Sequence, residues 1–207
     1  MSTTNDQGRG LWEWKLVQAI LLVAFLYFSQ LFFFNEFNES TTRQAIAVSA
    51  RVSAVLFCLA FGASSIHYFF KNAFTWWLRM NRKYIGISFA VLHLVHLGFL
   101  GILQQNFHAV FNQAKTISLL GGGLAYFFVV LMLLTSFPYF SKYLSKKQWI
   151  VLHTVGGYWI WYIFIRSYIR KLMFGDYEFI PIVVLLVAVI FLRIIYYLKK
   201  TNNYDLK

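Results

Sequence analysis

Residues 82–100 read RKYIGISFAVLHLVHLGFL, and the fold turns on them. The run is apolar, opens on a basic pair and carries His93 and His96. Apolar runs near 20 residues are long enough to cross the hydrocarbon core as a helix. Ionisable side chains inside such helices are rare and costly, which makes them functional candidates. A second apolar run, 149–169, carries His153. The expectation is that His93 and His153 face each other across a helix bundle and hold a haem.

The composition points the same way. Of 207 residues, 59% are hydrophobic and only 13% charged. Soluble domains run near 45–50% apolar and about 25% charged. The chain reads as an all-α polytopic membrane protein, one bundle with no separate soluble domain. The net charge of +12 would suggest nucleic acid in a soluble protein. Here the basic residues cluster at the ends of apolar runs, where they meet lipid headgroups, so nucleic acid is not expected as a partner. The lone cysteine, Cys58, excludes a disulfide within the chain and suggests no cysteine-based metal site. The first apolar run is too long for a cleavable signal and is read as a retained helix.

Six apolar runs follow one another: 15–34, 44–70, 84–107, 116–137, 149–169 and 179–198. They predict a six-helix transmembrane domain over 15–198, between a polar segment 1–14 with interfacial Trp12 and Trp14 and a polar tail 199–207. Gly62, Ser64 and Ser65 are small enough to let helices approach closely. The basic, aromatic segment 71–83 is read as a short piece lying along the headgroups. Pro138 ends the fourth run. Basic residues gather after the second run, after the fourth and in the tail, which share one face in a six-helix count. The positive-inside rule then places both termini in the cytoplasm, with the chain in the plasma (inner) membrane.

Two imidazoles on opposite sides of one haem make a six-coordinate iron, suited to passing electrons. Side chains from facing helices of a bundle supply that arrangement. His93 lies ten residues past Lys83, or about 15 Å along a helix, and His153 six past Lys147, or about 9 Å. These depths are compatible. Gly156 and Gly157 share the face of His153. They either leave space for a macrocycle or serve ordinary helix packing. His96 shares a face with His93. It is an alternative ligand, a hydrogen-bond partner for a haem propionate or quinone, or a buried imidazole satisfied by a backbone carbonyl. His67 reads as interfacial and His108 as a surface residue.

RKYIGISFAVLHLVHLGFL, then LTSF at 134–137 and KKQWIVLHTVGGYWIWY at 146–162, resemble the ferric reductase-like transmembrane domain family. The short six-helix form is most similar, the MsrQ-type haem-bearing membrane subunit of bacterial periplasmic methionine sulfoxide reductase systems. The likeness covers residues 45–170. It implies haem b, with His93 and His153 as the iron ligands, and electron transfer across the membrane. It also implies a cytoplasmic flavin reductase or quinol as donor and a periplasmic redox partner protein. FMN or a quinone is a further candidate cofactor, as is a second haem. Two-haem members carry another histidine where this chain has Arg166, so one haem is expected. Trp159, Trp161 and Tyr162 would shorten tunnelling steps.

Two other functions compete. A stand-alone ferric or other metal-ion reductase would work without a partner subunit. A non-redox bundle, such as a transporter, usually shows intramembrane acids or broken helices, and the apolar runs here hold essentially no Asp or Glu. The triplet Gly121–Gly123 lies within an apolar run and does not follow a strand, so it is no dinucleotide fingerprint.

Overall fold

A computed structural model of the chain describes residues 4–107 and 114–202. His108 lies outside the described residues. The described chain is all helical, with no strand. Its helices are α1 (Thr4–Phe34), α2 (Glu39–Phe69), α3 (Ala73–Phe107), α4 (Ala114–Leu134), the single turn α5 (Pro138–Ser141), α6 (Lys146–Met173) and α7 (Ile180–Asn202). A 3₁₀ turn, Tyr177–Phe179, leads into α7.

Each boundary has a local cause. Asn38 caps α2 by accepting from the Thr41 amide at 2.9 Å. Asn72 and Thr75 cap α3 reciprocally, at 2.9 and 3.2 Å. Ser145 and Gln148 form a capping box at the start of α6. Gly175, at φ +90°, ends α6: its amide donates to Leu172 and the Asp176 amide to Lys171. That double bond closes the last turn through a left-handed residue, a conformation glycine adopts without strain.

The segment 71–83 is not a separate headgroup piece. From Ala73 onward it forms the first turns of α3, which runs unbroken for 35 residues. Nothing between the Asn72 cap and Gly86 interrupts a helix: the stretch contains no proline and no glycine. At about 1.5 Å per residue, α3 is about 50 Å long, well beyond the roughly 30 Å hydrocarbon core.

Among the described residues, four stretches are long and apolar enough to cross a membrane: Trp14–Phe34, Glu39–Phe69, Ala73–Phe107 and Tyr177–Thr201. The described apolar part of α4, Gly121–Leu134, is shorter. The 28-residue α6 has the length but not the hydropathy, because tryptophans, tyrosines, His153 and five cations dilute its aliphatic residues. In α1, Leu22, Val23, Phe25 and Phe33 are all exposed. A large exposed apolar face of this kind suits a hydrocarbon solvent.

The core lies among α2, α3, α4, α6 and α7. Phe57, Phe89, Val129, Ile160, Phe164, Leu186 and Val189 pack there as one cluster. The most extensive interface joins α2 to α3, followed by α2 with α7. Gly62 permits the latter: a Cβ there would meet Val189 at 3.3 Å. α1 stands outside, resting Val17 on Tyr84 and Ile87 of α3.

Candidate functional site

Where α2, α4 and α7 end and α3 and α6 begin, the helices enclose a cleft of about 590 Å³. Small-molecule and cofactor sites fall in the range of about 300–1,000 Å³. Its apolar walls include Phe57, Phe61, Phe89, Val129 and Leu133. His153 lines it from α6, and Gly86 and Ala90 from α3. Arg82, Lys83, Arg193 and Lys200 also line it, and, among the described residues, no acidic residue does.

His153 is held on two sides. Trp149 stacks on its ring at 4.0 Å between centroids, while the indole N–H donates to the Thr135 carbonyl at 3.0 Å. The Thr135 hydroxyl donates to the Leu131 carbonyl at 2.7 Å, which uses its one proton. Its contact with His153 Nε2 at 3.1 Å is therefore an N–H···O bond in which Thr135 accepts. That tautomer leaves the lone pair on Nδ1. Thr135 thus orients the imidazole, while Ser136 turns away and donates to the Met132 carbonyl.

His93 sits elsewhere. It is buried, 8% exposed, among the rings of Phe89, His96, Tyr126 and Phe164. Its Nδ1 is buried with no hydrogen-bond partner. The α6 residue it meets is Phe164, at 5.2 Å, and not His153. Phe164 is eleven residues, or about 16 Å, beyond His153 along α6, and His93 packs against Phe164. Axial imidazoles on one iron must each bond it at about 2 Å. The structure does not bring His93 and His153 that close.

The cause is the length of α3. Arg82 and Lys83, which the sequence alone suggests as its start, do not mark it; it begins at Ala73. The basic pair consequently lies beside the cleft at the level of His153, and His93 lies deeper. The glycines of α6 serve packing: a Cβ on Gly156 would meet Met132 Sδ at 2.7 Å, and one on Gly157 the Phe61 ring at 3.0 Å.

The remaining candidates also find partners. His96 Nδ1 lies 3.1 Å from the Ile46 carbonyl and 3.0 Å from Ser49 Oγ. A carbonyl only accepts, so Nδ1 carries the proton; His96 is a half-buried imidazole satisfied by backbone. His67 Nδ1 meets Thr75 Oγ1 at 3.1 Å, joining the end of α2 to the start of α3. Trp159 and Trp161 donate to the carbonyls of Gly121 and Leu186, tying α6 to α4 and α7. Tyr162 is exposed.

Sequence reading passed over Arg193 and gives Ser65 only a packing role. Arg193 stands in the apolar run IPIVVLLVAVIFLRIIYY of α7. The rule that singled out the histidines, an ionisable group within a span, applies to it equally. Ser65 carries no such signal: its burial, at 1% exposure, comes from the packing around α2. No family model matches this chain, and no curated protein matches it.

Proposed function

We propose that this chain is a haem-bearing electron-transfer subunit of a membrane, with the haem seated in the cleft against His153. The observation that carries this reading is the cleft itself: about 590 Å³, apolar-walled, with an oriented imidazole in its wall. The donor set fits one protein ligand to the iron, His153. The two-histidine clasp on His93 and His153 requires α3 to stand deeper or shallower against α6 than it does. A haem there would supply a one-electron iron centre whose potential is tuned by its ligand and surroundings. The chain's own part is to fix the His153 tautomer through Thr135, to hold the ring flat on Trp149 and to keep water from the apolar walls.

The full reading has six spans, with α4 and α6 crossing inside a sheath of the more apolar helices. The cleft then opens on the cytoplasmic side, where the positive-inside rule puts the basic loops, and takes electrons from a flavin reductase or a quinol. The far end faces the acceptor. Between them the rings of Phe57, Phe164, Tyr168 and Phe179 follow one another at 5.5, 6.3 and 5.5 Å, leaving no wide gap.

The test is a reduced-minus-oxidised visible spectrum of the purified chain. A b-type signal that disappears in His153→Ala and survives in His93→Ala is expected. A wild-type protein without the signal, even after hemin is supplied, sinks the reading. Loss in both variants restores the paired-histidine arrangement in place of the single ligand.

A further inference from the structure

The cleft combines apolar walls with a cluster of cations. Four cations line it and, among the described residues, no carboxylate does. The acids with described side chains, Glu36, Glu39, Asp176 and Glu178, all lie near the opposite end, before α2 or between α6 and α7. Lysines and arginines at helix ends ordinarily reach outward to headgroups. Arg193 does not. Its guanidinium lies 3.9 Å over the Phe61 ring, donates to the Phe61 carbonyl, and reaches the Tyr197 hydroxyl at 3.3 Å. Its Nε is buried with no partner. Ser65, also on the cleft wall and 1% exposed, has an Oγ with no partner. Buried polar atoms are nearly always paired. Two orphans and a cluster of cations lining one cavity point to an anion. Arg82, exposed at the mouth, is held in place by Ser64, to which it donates at 3.1 Å.

We propose that Arg82, Arg193 and Ser65 form an anion subsite at the mouth of the cleft. It takes the carboxylate or phosphate of an amphipathic ligand whose apolar body lies against Phe57, Phe89 and Val129. A guanidinium is suited to either group, because its forked donors match two oxygens at once. Both sources are at hand in a membrane: the acid groups of a tetrapyrrole, or the phosphate of an anionic lipid. The subsite rests on the cleft being a ligand site, as proposed above, but not on the ligand being haem.

The test compares charged and uncharged partners on the purified full chain. Hemin is titrated against hemin dimethyl ester by absorbance, and phosphatidylglycerol against phosphatidylcholine by retention in native mass spectrometry. In at least one pair the anionic member is expected to bind about tenfold or more tightly. Arg193→Gln and Arg82→Gln should each erode that preference, while Arg193→Lys, which keeps the charge, retains most of it. Arg82 is exposed and tethered only through Ser64, so its variant decides the matter should Arg193→Gln unfold. Preference confined to hemin identifies the acid groups of the cofactor; preference confined to phosphatidylglycerol identifies lipid phosphate. Arginine-dependent lipid selection without any hemin binding keeps the subsite and removes the haem. Equal binding within both pairs, or a preference untouched by both glutamine variants, overturns the subsite.

Discussion

Gly157 shows how little slack surrounds the cleft. A methyl group there would press on the Phe61 ring at 3.0 Å. That ring cannot swing away, because Phe57 stacks on it at 5.0 Å and Arg193 covers it at 3.9 Å. Overpacking of this kind costs about 1–3 kcal/mol. Gly157→Ala is expected to lower the thermal midpoint in detergent accordingly. Gly123→Ala, which meets nothing within 4 Å among the described residues, should leave it unchanged or raise it. Equal midpoints for the two variants would remove the close packing argued for Phe61. His153 and His96 carry the same lesson in polar form. The proton of each ring is assigned by a neighbour that can only accept, Thr135 Oγ1 in one case and the Ile46 carbonyl in the other.

The helices owe their lengths to their ends. Asn72 starts α3 ten residues before the basic pair and thereby sets the depth of both histidines on it. Asn72→Ala is expected to cost about 1 kcal/mol, read from the urea or thermal midpoint. The loss should fall on the α2–α3 hairpin, giving faster amide exchange over its first turns. At the other end of the bundle Gly175 holds φ +90° with open space around its Cα. A side chain there clashes with nothing but its own backbone, so Gly175→Ala isolates the left-handed penalty of about 1–2 kcal/mol. Gly175→Asn should cost less, since asparagine tolerates that region. A Gly175→Ala protein as stable as the parent would mean that α6 ends in some other way.

The molecule has two unlike ends. One holds the cleft and its cations. At the other, Arg51 of α2 pairs with Glu178, and Arg51 and Lys171 cover the buried ring of Phe179 at 4.7 and 4.4 Å. That cluster fixes the α6–α7 turn against α2. Cys58 is fully buried, so the parent chain offers a quiet background for thiol labelling. Six spans predict that cysteines replacing Lys71 and Leu144 react with an impermeant maleimide from one side of a vesicle. Cysteines replacing Phe37 and Asp176 should react from the other. Labelling of Lys71→Cys and Leu144→Cys from opposite sides would reduce the span count and detach α4 or α6 from the membrane.

Composition and run length were enough to establish an all-helical chain in lipid contact, because burying peptide groups in hydrocarbon leaves a helix as the economical solution for a long apolar run. The caps at Asn38, Asn72 and Ser145 were missed, since run length and hydropathy start each helix only where its apolar stretch starts. The consequence was largest for α3, because a basic pair at the start of an apolar run looks the same whether the helix begins there or ten residues earlier. Depth along a bundle is a relation between two helices, and hydropathy describes each one alone. Only the tertiary structure set His93 against Phe164, left His153 on a cleft, and laid Arg193 over Phe61 in the wall of that cleft. Those placements depend on which helices are neighbours and on the small residues that let them approach.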